Sequence, residues 1–262
     1  MTILSKIMEG VRADLEVRKA ACPQPVVETE AARRSPARDF AASLRGEGVG
    51  LIAEVKLASP SRGVIRADLD AAAVARTYVT SGADAISVLT ESRWFGGSLS
   101  SLDDVVDVVG SDGPPVLRKD FIVDSYQVLE SRAHGADCIL LIAALLNQAQ
   151  LSHMLHQSEL LGMSCLVEVH DELELARVVD SGALIIGINS RDLRTLEVNM
   201  ATFERLRPLI PAGRLVVGES GIRRREDVER LATAGVDAVL IGEAIISAPD
   251  IDAKMKELRC NV

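Results

Sequence analysis

Glu54 and Lys56 stand two residues apart in LIAEVKLASPSRG, positions 51–63. Side chains two apart on a strand point the same way. An apolar strand that ends on a carboxylate beside an ammonium offers a paired acid and base, because burial and pairing tune both groups. Four more apolar runs end in a similar manner: PVLRKD on Lys119, CLVEVH on Glu168, IIGINSR on Asn189 and Arg191, and LVVGES on Glu219 and Ser220. A single polar strand end is most simply solvated or salt-bridged. Five together point to one shared face, the arrangement that general acid–base chemistry needs.

A second set of residues suits an anion. ESGI (219–222) and IGEA (241–244) each place a glycine, Gly221 and Gly242, where backbone N–H groups can approach a phosphate with a helix start close behind. Taken singly, these are turn glycines. As a pair after the last two strands of a barrel they match the usual phosphate position. Ser59 and Pro60, in ASPSRG, add a small polar loop after the first strand. GESG lacks the G-x-S-x-G spacing of a nucleophile elbow. His153 and His156 have helical spacing without the rest of a metal set, which fits a surface helix. His170 is expected to point away from Glu168 and to have no catalytic role. Trp94 and Phe95 follow the second strand; core packing is the default, although a loop at that face also suits stacking on an aromatic substrate.

These residues need a scaffold that brings strand ends together. SGADAISVLT (81–90), HGADCILLIA (134–143), SGALIIGINS (181–190) and AGVDAVLIGE (234–243) share one plan: a glycine, a short spacer, then an aliphatic run. A glycine that closes a helix just before a buried strand marks a βα unit. Eight strands are expected at about 50–56, 84–89, 115–119, 137–142, 164–169, 184–189, 214–219 and 237–241. Helical patterns lie between them in LDAAAVARTYVTSG, DSYQVLESRAHG, QLSHMLHQSELLG, DELELARVVDSG and REDVERLATAG. Asp68, Asp124 and Asp171 are candidate N-caps. The strands are apolar on both faces, as helix-covered parallel strands must be. The fold expected is α/β, a (β/α)8 TIM barrel with an N-terminal helical extension. GEGVG (46–50) lacks the glycine spacing of an open dinucleotide-binding sheet. Residues 1–48 hold a charged helix, a variable stretch ACPQPVVETEAARRSPA and a short helix RDFAASL; residues 49–262 are the barrel. The extension covers one end or helps to close the substrate site.

Composition narrows the classes. Of 262 residues, 48% are hydrophobic and 26% charged, which supports a large core. The net charge of -9 argues against binding nucleic acid but not against a small anion. The cysteines at 22, 138, 165 and 260 form no C-x-x-C pair and read as reduced thiols. The first twenty residues lack the apolar run of a signal peptide, and CILLIAALL (138–146) is too short to span a bilayer. A cytoplasmic protein that does not bind membranes is expected.

The blocks IAEVKLASPSRG, ISVLTESRWFGGSLSSL, VLRKDFIVDSYQV, GADCILLIAALL, LVEVHDE, IGINSRDLRTLEVN, GESGI and VLIGEAI resemble, in order, the indole-3-glycerol phosphate synthases of tryptophan biosynthesis. The resemblance implies a carboxy-lyase acting on a phosphorylated aromatic substrate, without metal or organic cofactor. It would close the indole ring of 1-(2-carboxyphenylamino)-1-deoxyribulose 5-phosphate with loss of carbon dioxide and water. It implies catalytic roles for Glu54, Lys56, Lys119, Glu168, Asn189 and Ser220. Ser59, Pro60, Gly221 and Gly242 would hold the phosphate. Phe95 and Leu140 would line the pocket for the aromatic ring, with Arg191, Glu219 and Glu243 also at the substrate. Two positions depart from the pattern: Leu57 replaces a common basic residue, and Glu243 stands where some members have serine. The protein would act alone or associate weakly with other enzymes of tryptophan synthesis. The residues by themselves leave two other readings open, a Schiff-base aldolase using a barrel lysine and a phosphosugar-binding barrel without chemistry.

Overall fold

Aliphatic runs, each introduced by a turn, form eight parallel strands: β1 (Gly50–Val55), β2 (Ala85–Leu89), β3 (Val116–Lys119), β4 (Cys138–Ile142), β5 (Ser164–Val169), β6 (Ile185–Asn189), β7 (Leu215–Glu219) and β8 (Ala238–Ile241). Each begins and ends within one residue of its expected range. They close into a barrel in chain order, with β8 paired to β1. The computed structural model describes residues 3–60, 62–66, 70–193 and 195–259. Cys260 and the expected N-cap Asp68 lie outside the described residues.

The two-residue period of a strand sorts every side chain to one of two layers. Ile52, Leu117, Leu140, Leu166, Ile185, Val217 and Leu240 point inward and form the barrel interior. Leu51, Ala53, Val116, Val167, Ile186 and Val216 point outward into a second apolar layer beneath the helices. Glu54, Lys119, Glu168, Asn189 and Glu219 continue the inward rows at the C-terminal ends of their strands.

The outer helices include α4 (Ala71–Thr80), α5 (Leu99–Val109), α6 (Ser125–Ala133), α7 (Gln148–Leu160), α8 (Glu172–Asp180), α9 (Ala201–Leu206), α10 (Arg225–Thr233), α11 (Glu243–Ile246) and α12 (Ile251–Leu258). Asp124 and Asp171 cap α6 and α8 as expected, and Asp70 caps α4. The glycine shared by the repeated segments takes a left-handed conformation, with φ of +79° at Gly82 and +82° at Gly235. That turn releases the chain from helix into the next strand.

Among the described residues, three helices precede β1: α1 (Ile3–Ala21), α2 (Gln24–Arg33) and α3 (Phe40–Ser43). The second lies within the variable stretch, to which the sequence reading assigns no helix. Its proline is in the first turn, where the missing N–H costs no helical bond. Val27 and Ala31 then pack with Leu15 of α1 and with Tyr126 and Leu129 of α6. Phe40 and Leu44, in and just after α3, join the interior cluster, as do Ile7, Met8 and Val11 of α1. Ion pairs fasten these helices to the barrel: Arg18–Glu130 at 2.8 Å, Lys19–Asp124 at 2.6 Å and Arg38–Asp137 at 2.6 Å. Among the described residues, no helix is long and apolar enough to cross a membrane.

Beside the inward Lys119, Arg118 faces outward and is fully buried. Its guanidinium meets Asp120 at 2.9 Å and Glu130 at 3.0 Å, and its Nε donates to the Thr90 hydroxyl at 3.1 Å. A buried guanidinium must have such partners, because an unpaired charge there is costly.

Candidate active site

A cavity of about 840 Å³ opens at the C-terminal ends of the strands. Every residue expected to be catalytic or substrate-binding lines it: Glu54, Lys56, Ser59, Pro60, Phe95, Lys119, Leu140, Glu168, Asn189, Arg191, Glu219, Ser220, Gly221, Gly242 and Glu243. His153 and His156 lie on α7, away from it; His153 contacts the Ser125 hydroxyl at 3.0 Å.

Lys119 is the hub of the charged floor. Its Nζ donates to Glu219 Oε2 at 2.6 Å and lies 3.5 Å from Glu168 Oε2. Lys56 Nζ lies 3.6 Å from Glu54 Oε1, so the pair read from the first strand is formed. Burial pulls the Lys119 ammonium toward neutrality, but Glu219, Glu168 and Glu54 outweigh it and its pKa rises. For Glu168, burial favours the acid form, yet Lys119, His170 and Asn189 prevail and its pKa falls to about 2. For Glu219, burial dominates; Lys119 opposes it, and the charges of Glu168 and Glu54 reinforce it, giving about 7. Three carboxylates thus share two ammonium groups, and Glu219 is the member that takes up a proton near neutrality.

Two glycines leave room for these acids. A methyl group on Gly187 would collide with Glu219 Oε1, and one on Gly242 would collide with Glu54 Oε1.

His170 differs from expectation. It lies two residues after Glu168, so its side chain comes to the same side, and Nε2 is 3.2 Å from Glu168 Oε1. Nδ1 lies 3.0 Å from Glu174 Oε2, which also accepts from the His170 backbone N–H at 2.8 Å. Burial works against the imidazolium, but the two glutamates raise the pKa to about 10.

The apolar wall comes from several parts of the chain. Phe95 and Phe121 stand with ring centroids 6.0 Å apart, and Lys56 Nζ lies 5.9 Å from the Phe95 ring centre. Leu140 and Ile142 line the wall from β4; Ile3, Leu4 and Ile7 line it from α1. Phe95 rather than Trp94 lines the cavity. Its loop is organised by Glu91, a buried carboxylate accepting from the backbone N–H groups of Arg93 at 3.0 Å, Trp94 at 2.8 Å and Phe95 at 3.1 Å. Arg93 is ion-paired with Asp14 of α1. Sequence reasoning missed Glu91 and Phe121, and offered the N-terminal extension only as a cover for one end or a help in closing the site. The signal for Glu91 was only an acidic residue just after a strand end, two to four positions before the groups it binds.

The opposite end of the cavity holds the anion-friendly loops. Ser220 and Gly221 are consecutive left-handed residues, with φ of +66° and +78°. Gly242 precedes α11 directly. The Glu243 carboxylate lies 3.1 Å from Arg62 Nε and 3.9 Å from Arg223 Nη2, so its charge is met by arginines. Asn189 Oδ1 accepts from the Arg191 N–H at 3.0 Å, and the Arg191 guanidinium donates to the Leu196 carbonyl at 2.9 Å.

A family model described as indole-3-glycerol phosphate synthase matches residues 4–258. Indole-3-glycerol phosphate synthase 1 of Streptomyces coelicolor is 49% identical over 98% of this chain and 95% of its own. The indole-3-glycerol phosphate synthase of a Parafrankia species is 50% identical over 95% of this chain and 92% of its own. Among solved structures, 3-hexulose-6-phosphate synthase from Salmonella typhimurium superposes with a TM-score of 0.64 at 14% identity, covering 80% of this chain and 96% of that one. At such low identity that likeness speaks for the barrel alone. The family match and the two close relatives span nearly the whole sequence: the chain belongs to the indole-3-glycerol phosphate synthase family.

Proposed function

We propose that Lys119, Lys56, Glu54 and Glu168 share the proton transfers by which this chain closes the indole ring of 1-(2-carboxyphenylamino)-1-deoxyribulose 5-phosphate. The observation supporting this reading is the position of Lys119, within 2.6 Å of Glu219 and 3.5 Å of Glu168 at the cavity floor. Its ammonium form suits donation to the substrate ketone, which makes the carbonyl carbon open to attack by the ring carbon that bears the carboxylate. Carbon–carbon bond formation leaves a hydroxyl where the ketone was. Loss of carbon dioxide returns the electron pair of the broken bond to the ring. Departure of the hydroxyl as water requires a proton, which Lys56 supplies with Glu54 beside it. Glu168, held ionised, accepts the proton released as the indole becomes aromatic.

Asn189 helps to orient Glu168. Ser220, expected among the catalytic residues, stands beside Gly221, which with Ser59, Pro60, Gly242 and the backbone at Glu243 holds the phosphate. Phe95 and Leu140 flank the aromatic ring, while Arg191 and Glu219 border the reacting end. Anchoring the remote phosphate spends binding energy on orientation. The helical extension ends near residue 48, and the catalytic barrel begins at 49. The free thiols Cys22 and Cys138 and the biosynthetic reaction favour a cytoplasmic setting. We place the chain as a monomer or a weak associate of neighbouring enzymes in tryptophan synthesis.

Purified protein incubated with the anthranilate-derived substrate is expected to release an indole product, followed by fluorescence. Lys119→Ala and Glu168→Gln should each depress turnover by at least ~10²-fold. Normal turnover in both variants would remove this assignment of roles, and absence of product from the parent chain would remove the reading altogether.

A further inference from the structure

The cavity uses Glu168 directly, but Glu168 is itself held from behind. His170 follows it on β5 and sits between two carboxylates, Glu168 Oε1 at 3.2 Å and Glu174 Oε2 at 3.0 Å. The Glu174 carboxylate grips both Nδ1 and the backbone N–H of His170. Asp171 caps α8 and accepts from the Glu174 N–H at 2.9 Å, fixing the turn on which the grip depends. Arg205 of α9 donates to the His170 carbonyl at 3.4 Å and is ion-paired with Glu172. Lys119, on the far side of Glu168, completes the charged groups around this pair.

We propose that His170 is a positioning residue for the reaction: as an imidazolium clamped by Glu174, it holds a positive charge beside Glu168 that biases the carboxylate toward the cavity and sets its basicity. The proposal rests on the reading of Glu168 as the proton acceptor. The two contacts differ in kind. Glu174 Oε2 meets the ring at Nδ1 and also accepts from the His170 backbone N–H. The Nε2–Oε1 contact is close but not aligned as a straight N–H···O bond. Attraction between unlike charges depends mainly on distance, whereas a hydrogen bond also depends on angle. The imidazolium therefore stabilises the carboxylate without locking its rotation, which suits a group that must reach a substrate proton. The raised pKa of His170, about 10, agrees with a cationic ring throughout the neutral range.

His170→Gln keeps a polar side chain of similar reach and removes the charge. At pH 7 its kcat is expected about tenfold below the parent, with KM within about twofold, since the phosphate and aromatic contacts are untouched. The deficit should shrink as pH rises from 8 to 10, because the parent then loses the same charge. Glu174→Gln weakens the grip on the cation and should bring the parent-like loss to lower pH. If His170→Gln fails to fold, this second variant carries the test alone. A deficit constant from pH 7 to 10, or a kcat within twofold of the parent, would overturn the role of His170. So would a Glu174→Gln profile superimposable on that of the parent. An inactive parent would instead overturn the catalytic reading on which it rests.

Discussion

Replacing Lys119 by methionine keeps the length of the side chain and removes its charge. Two consequences can be separated. The first is loss of a positioned proton donor, worth ~10²–10⁴ in rate, or about 2.7–5.4 kcal/mol at 1.36 kcal/mol per decade. The second is electrostatic. Glu168, at about 2, loses the charge that does most to oppose its burial. An opposite charge at such range shifts a carboxylate by ~1–3 pH units, so Glu168 remains ionised at pH 7. Glu219, already at about 7, moves up and stays protonated, which relieves the excess negative charge without unfolding the barrel. Lost turnover at pH 7 therefore reports the missing donor rather than a silenced base. The assay is product fluorescence under saturating substrate, with far-UV circular dichroism and thermal melting alongside. The expected result is kcat lowered ~10²–10⁴-fold and KM changed by no more than about threefold. A kcat within about tenfold of the parent and an unchanged spectrum would refute the reasoning. A rise in KM alone would make Lys119 a binding residue.

Arg118→Met takes the guanidinium from Asp120 and leaves Glu130 with Arg18 alone, which should cost ~3–5 kcal/mol, measured by denaturant unfolding; a cost below ~1 kcal/mol would show those carboxylates to be sufficiently paired without it. Glu91→Ala frees three backbone N–H groups under Phe95 and should raise KM about tenfold, ~1.4 kcal/mol, with little change in kcat. Stability should also vary with pH in two windows. His170, raised from 6.5 to about 10, contributes stability that is complete below pH 6.5 and lost as pH climbs through 10. Glu168, lowered from 4.5 to about 2, contributes stability that is present above pH 4.5 and lost as pH falls toward 2. Melting temperatures recorded across pH 3 to 10 should show both flanks, the alkaline one shallower in His170→Gln; equal alkaline slopes would contradict the assignment.

The barrel was legible because its signals are local. A glycine closes a helix, an aliphatic run follows, and the period of two then assigns the polar end residue to the inner face. Glu54, Lys119, Glu168 and Glu219 could be placed at one mouth by that rule alone. Their partners could not. The shortest contact at the floor joins Lys119 to Glu219, 100 residues apart, and only barrel closure brings them together. α2 was hidden by two prolines that break helices in general but sit harmlessly at a first turn. α5 was hidden by serines and paired aspartates among Leu102, Val105 and Val109, the residues that it buries. His170 was misjudged by one step of the strand period. The contribution of α1 was legible only as a possibility, since helix amphipathicity says that a face is buried but not against what.

The bare positions at 187 and 242 tie distant parts of the chain into shared fates. An alanine at either place takes the space of a carboxylate oxygen on another strand, so the glycine cannot gain a side chain while its acid keeps its place. Descendants that shorten residue 219 could enlarge residue 187, whereas descendants that keep the acid must keep the gap. Covariation of these pairs is thus written into the shape of the barrel interior, and any redesign of the catalytic floor begins with two residues that have no side chain to offer.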